Sequence, residues 1–204
     1  MTKRRLIRTA VIAIAGIGLA ALIAMSQIQS APVTGKPLTP VAGSSVGGPF
    51  TLIDQTGKTV TEKDFAGQYL LIYFGFTYCP AICPTELQKM NQALKQLGPA
   101  ANRVQPLFIT IDPERDTQPV MKDYVAQFNP RLVGLTGSRE QINHVLKAYR
   151  VYARRVDDPA ANEYTMDHSS YIYFMNPDGQ LLGIYGTDST PADIAADLHR
   201  ALGS

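Results

Sequence analysis

Two cysteines in a chain of 204 residues stand four positions apart, in Cys79-Pro80-Ala81-Ile82-Cys83-Pro84. They follow an apolar run, Tyr69–Gly75, and precede a stretch with Leu87, Met90, Leu94 and Leu97 at helical spacing. Pro84 suits a first helical turn, where its missing N–H would have been unpaired anyway. Glu86 suits an early-turn position, where the helix dipole favours a carboxylate. The cysteines therefore sit in a strand-to-helix loop and at the mouth of the helix, where free amides and the dipole favour thiolate over thiol. Two thiolates at this spacing can share one metal ion or close a disulfide, since their Cα atoms are about 6 Å apart even on a helix. A purely structural bridge is a poor explanation, because closing a five-residue loop stabilises by only about 2 kcal/mol. A body of this size does not need it.

Of the three histidines, His144 falls off the apolar face of its helix and His199 lies in the last turn of the final helix. Both read as surface residues. His168, in Asp167-His168-Ser169, directly precedes an apolar strand at the end of a polar loop, 157–165. Strand ends are where side chains of different elements meet over one site in α/β sheets. His168 is thus a candidate ligand or base, or else a turn residue. Met166 offers a soft thioether, or core packing. Two thiolates and one imidazole lack the fourth ligand of structural zinc. Soft thiolates suit three-coordinate Cu(I), and the imidazole adds tolerance for Cu(II), so copper is the first choice.

The elements that must position these groups are legible in outline. Phe50–Ile53 and Lys58–Val60 flank Asp54-Gln55-Thr56-Gly57 as a short hairpin. Tyr69–Gly75 and Val104–Ile111 read as strands buried on both faces. Helices are expected before Gly98-Pro99, over Pro119–Phe128, and after Ser138 with Ile142, Val145, Leu146 and Tyr149 inward. Leu132–Thr136 is a short strand, and Asn176-Pro177-Asp178-Gly179 joins Ser170–Met175 to Gln180–Tyr185 as a second hairpin. A last helix opens near Pro191. This α/β order predicts a central sheet flanked by helices on both faces, with an extra N-terminal hairpin.

Lys3, Arg4, Arg5 and Arg8 hold four of the 19 basic residues; the remaining 15 face 17 acidic ones. The body thus has no concentrated positive field, and nucleic acid is not an expected partner. Residues 9–25 carry no charge, which is about 25 Å of helix. After a basic cluster such a run reads as a single membrane anchor or an uncleaved signal with the body exported; cleavage near Met25 is the alternative. No cysteine follows the run, so a bacterial lipid anchor is not expected. Residues 26–48, with three prolines, four glycines and four serines, read as a flexible linker to a domain over 49–204.

The motifs together, Thr77-Tyr78-Cys79-Pro80-Ala81-Ile82-Cys83-Pro84-Thr85-Glu86, Asp112-Pro113-Glu114-Arg115-Asp116-Thr117 and Asp167-His168-Ser169, resemble those of the Sco/SenC family, membrane-tethered copper chaperones for cytochrome c oxidase. The resemblance spans roughly residues 46–203. It implies a thioredoxin-like (peroxiredoxin-like) fold, with Cys79, Cys83 and His168 as copper ligands. It implies delivery of Cu(I) or Cu(II) to the binuclear copper centre of oxidase subunit II, with another copper chaperone and a thiol reductase as further partners. The location it implies is the inner membrane, single-pass, with the body on the periplasmic side. Asp112 matches an aspartate tied to copper handling, or is simply a turn carboxylate; Arg115 and Asp116 read as loop-fixing charges. The alternative function is thiol-disulfide exchange at the cysteine pair of that copper site, with Cys79 and Cys83 as the reacting groups. Thioredoxin-type reductases use Cys-x-x-Cys and a proline before the hairpin strand. The three intervening residues and Asp167-His168-Ser169 here favour metal instead. A peroxidase is the third class, and no local motif demands it.

Overall fold

The computed structural model describes residue 41, residues 45–158 and residues 163–204. The expected anchor and most of the expected linker lie outside the described residues. Among those described, no helix is long and apolar enough to cross a membrane. The end of the linker touches the body: Gly47 N–H donates to the Ala148 carbonyl at 3.0 Å, and Val41 N–H to that of Leu181 at 2.8 Å.

Strands β1 (Thr51–Asp54) and β2 (Thr59–Thr61) form the predicted hairpin. β3 (Tyr69–Gly75) leads into helix α1 (Ile82–Leu97), then β4 (Val104–Thr110), α2 (Gln118–Val125), β5 (Val133–Thr136) and α3 (Arg139–Ala148). Next come β6 (Ala153–Asp158) and β7 (Glu163–His168), then β8 (Ile172–Met175), β9 (Leu181–Tyr185) and α4 (Pro191–Leu202). Seven strands make one sheet in the order β2-β1-β5-β4-β3-β8-β9. β3 is central, parallel to β4 and antiparallel to β8. Its unbroken apolar sequence is what a strand covered on both faces requires.

Successive β3 side chains point to opposite faces. Tyr73 stacks on Phe108 at 6.4 Å and reaches Cys83 of α1. Phe74 packs the other way, on Tyr149 at the end of α3 and on Tyr173. Helices thus cover both faces, as predicted, and α1 packs against α4. Ser138 caps α3 through a reciprocal pair with Gln141, and Gly98 ends α1 with φ +60°.

One stretch departs from the sequence reading. In place of the polar loop expected over 157–165, residues 153–158 and 163–168 pair as a two-stranded antiparallel arm, β6–β7, outside the main sheet. The arm carries few apolar residues because only one face of β7 meets the body, so its composition imitates a loop.

Candidate metal centre

The helix that carries Cys83 begins without a side-chain cap: Ala81 occupies the N-cap position. The sulfur of Cys79 takes that place, accepting the Cys83 backbone N–H at 3.3 Å. An orphan amide at a helix N-terminus is thus met by the group it stabilises as an anion. Cys83, the second helical residue, is fully buried and lies over the end of β3. Gly75 permits this approach, because a Cβ there would stand 2.8 Å from Cys83 Sγ and 2.9 Å from the Tyr73 ring. Tyr73 OH donates to Cys83 Sγ at 3.7 Å. Both cysteines are free thiols.

The two sulfurs differ in charge. Cys79 is pushed down to about 4, chiefly because the Cys83 thiol donates to it, with further help from His168 and backbone amides against the cost of burial. Cys83 is pushed up, first by holding the proton it shares with Cys79, then by burial. One negative charge therefore resides on Cys79, which also lines an open cleft of about 570 Å³ with Tyr78, Pro80, Tyr164 and Thr165. The depressed value sets the sign of the pH dependence: the thiolate persists from alkaline pH down to about 4. Alkylation of Cys79 in the reduced protein is expected to change less than about two-fold between pH 8 and pH 6, where an ordinary thiol slows roughly 100-fold. Iodoacetamide kinetics with peptide mapping check this; a ten-fold fall per pH unit would place the charge elsewhere.

His168 arrives from β7, 85 positions along the chain from Cys83, with Nε2 3.7 Å from Cys83 Sγ. Its Nδ1 lies 3.1 Å from the Ser169 carbonyl, which can only accept, so Nδ1 carries a proton, and in the neutral ring it is Nε2 that offers the lone pair. The ring is set edge-on against Phe76 and Tyr73. Metal–sulfur and metal–imidazole bonds of about 2.3 and 2.0 Å meeting at a trigonal angle place their donor atoms roughly 3.8 Å apart. The Cys83–His168 separation fits one ion. Cys79 is still engaged with the helix amide, and among the described residues no three His, Cys, Asp or Glu side chains are already gathered as a metal cluster. Rotation of Cys79 from its amide would complete a soft S₂N donor set suited to Cu(I).

The other candidates fall outside this centre. His144 and His199 are surface residues, bonded to Pro49 and Ser204 respectively. Met166 is buried with the core. Asp116 does fix a loop: wholly buried, it accepts from Thr77 N–H at 3.0 Å, Thr77 Oγ1 at 2.6 Å and Thr110 Oγ1 at 2.6 Å, just before Cys79. Asp112 is also buried, and it binds Arg115 and the Tyr164 hydroxyl. Glu86, expected in an early-turn position, lies past the first turn of α1, where it is buried and paired with Lys89 at 2.9 Å. Tyr73, Phe76 and Gly75 shape the centre, yet nothing separates them from other core residues of an apolar run in the sequence.

A dithiol at the start of a helix that follows the central strand, faced by a side chain from before the terminal hairpin, defines a protein of the thioredoxin-like class. The SCO1/SenC family model matches residues 39–203, and the chain belongs to that family. It is 45% identical over 166 residues to the human mitochondrial protein SCO1 homolog, covering 80% of this chain and 53% of that protein. The chain thus spans little more than half the length of this relative. Among solved structures it is similar to Bradyrhizobium japonicum ScoI with copper bound, at TM-score 0.71 and 45% identity over 76% of this chain and 99% of that one. It is also similar to BsSco, a member of the Sco family of cytochrome c oxidase assembly proteins in which a disulfide switch is identified. That match has TM-score 0.61 and 30% identity over 82% of this chain and 96% of the other.

Proposed function

We propose that this protein is a copper carrier that binds one copper ion through Cys79, Cys83 and His168 and delivers it to the binuclear copper centre of cytochrome c oxidase subunit II. Copper is cargo here, taken from another copper chaperone and passed on. The observation that carries the reading is the convergence of Cys83 Sγ and His168 Nε2 to 3.7 Å from elements distant in sequence. Family membership supports it, as does the copper held by the similar ScoI. Residues 1–25 would anchor the chain in the inner membrane and 26–48 would tether the domain on the periplasmic side. Carbonate-washed membranes are then expected to retain the full chain.

A second reading, thiol-disulfide exchange on the partner's cysteine pair, is favoured by one specific feature. The charge sits on Cys79, the residue that borders the open cleft, where an attacking thiolate is needed.

Anaerobic copper titration of the reduced full chain tests the ligand set. His168→Ala is expected to weaken binding and to shift the Cu(II)–thiolate absorption, because the imidazole is a direct ligand. His144→Ala is expected to change neither. Unchanged affinity and spectrum on loss of His168 would remove it from the site.

A further inference from the structure

His168 rides on the β6–β7 arm, so whatever holds the arm to the body sets where the imidazole stands. On β7 the side chains alternate: Tyr164, Met166 and His168 turn inward, whereas Glu163, Thr165 and Asp167 are exposed. Tyr164 and His168 are therefore two points on one face of the same strand, about 13 Å apart at roughly 3.3 Å per residue. Met166 is buried between them.

We propose that Arg115, held by buried Asp112 and clasped between Tyr78 and Tyr164, is a positioning residue that docks the β7 strand and thereby fixes His168 against Cys83. The inference rests on the copper-carrier reading for its functional meaning. Arg115 Nε donates to Asp112 Oδ2 at 2.5 Å, and Nη1 donates to the Tyr164 carbonyl at 2.8 Å. Its guanidinium lies 3.7 Å from the Tyr164 ring centroid and 4.7 Å from that of Tyr78. The Tyr164 hydroxyl closes the circuit by donating to Asp112 Oδ1 at 2.9 Å. Tyr78 OH donates to Glu163 at 3.1 Å, and Arg155 lies 3.9 Å from the Tyr164 ring. The Arg115–Tyr164, Tyr164–Asp112 and Tyr78–Glu163 contacts join the arm to the Asp112–Asp116 loop or to the residue beside Cys79, whereas the Arg155–Tyr164 contact lies within the arm. One planar fork serves carboxylate, carbonyl and two aromatic faces at once, which the point charge of lysine does not. The carboxylate is 1% exposed, so this pairing is not the weak, screened ion pair of a surface.

At its other end the arm is tied by Ser169 N–H to the Tyr152 carbonyl at 3.0 Å. Freeing Tyr164 would leave the inward face of β7 held only by Met166 and that root, so that the strand would sit more loosely and the His168–Cys83 separation would vary without loss of any ligand. Residues that orient metal ligands typically contribute about 10–100-fold in affinity.

The test uses the full chain with Tyr164→Leu, a half-buried position, and Arg115→Lys as a second variant. In metal-free reduced protein the His168 ring proton resonances, which feel the ring currents of Phe76 and Tyr73, are expected to shift in both variants while β3 amide resonances stay in place. Copper affinity is expected to fall about 10-fold in either variant. In a His168→Ala background the same substitutions are expected to cost nothing further, since the latch acts only through the imidazole. Unmoved His168 resonances in both variants would overturn the proposal. So would an equal loss of affinity with and without His168, which marks general loosening. If wild-type protein bound no copper, the carrier reading would fail, and the metal-free resonances would still decide the docking role of Arg115.

Discussion

Protein oxidised to a Cys79–Cys83 disulfide is expected to take up no stoichiometric copper, while the same protein reduced loads one equivalent. Forming the bond removes two electrons and, with Cys79 already a thiolate, the one proton held by Cys83, and it leaves neither sulfur as the anionic donor that copper requires. The two cysteines are already neighbours, with Cys83 N–H donating to Cys79 Sγ at 3.3 Å. A five-residue loop adds only about 2 kcal/mol of stability, so the bridge is easily reduced again. An exported domain meets an oxidising compartment and would therefore need the thiol reductase named above to stay loadable. Cys83→Ser is expected to reproduce the loss in reduced protein, because it deletes the sulfur that faces His168. Parallel copper titrations with free thiols counted check both. Tight one-to-one binding by protein without free thiols would refute the gating. Transfer of copper to an oxidase fragment without a mixed disulfide would favour the carrier over the reductase.

The largest expected effect on stability lies one turn beyond the cysteines. Lys89→Met is expected to destabilise the fold by about 3–5 kcal/mol, the usual result of stripping one partner from a buried ion pair. Glu86 is 1% exposed, and among the described residues its Oε2 has no hydrogen-bond partner and Lys89 is its one counter-charge in contact. The same ammonium also donates to the carbonyls of Gly186 and Thr187, which tie α1 to the turn before α4. At roughly 2–4 °C per kcal/mol for a domain of this size, melting should fall by about 6–20 °C. Replacing Glu86 by leucine together with Lys89 by methionine is expected to recover most of the loss, since no unpaired charge is then buried. Thermal melts of the two variants beside the parent protein settle it; a shift under about 2 °C for Lys89→Met would mean that the pair is not buried in solution.

The central strand and the helix mouth were legible in the residues because their causes are local. Tyr69–Gly75 has no polar residue to turn toward water, and Pro84 and Gly98-Pro99 punctuate the helix through backbone geometry alone. The spacing of Cys79 and Cys83 likewise keeps two sulfurs within reach in the turn or helical conformation that a strand-to-helix junction imposes. His168 could be named from its place before a strand, but its neighbours could not. The arm that carries it alternates Tyr164, Met166 and His168 on one face among charged residues, a pattern too polar to distinguish from a loop. Nor does anything in the order of residues tell a buried Glu86–Lys89 pair from an exposed one at the same helical spacing. Tertiary structure alone decided which sulfur carries the charge, which imidazole nitrogen faces it, and that Arg115 reaches across to Tyr164. Those outcomes depend on distances and burial between segments far apart in the chain, and such quantities arise only when the sheet brings the end of β3, the start of α1 and the end of β7 to one place.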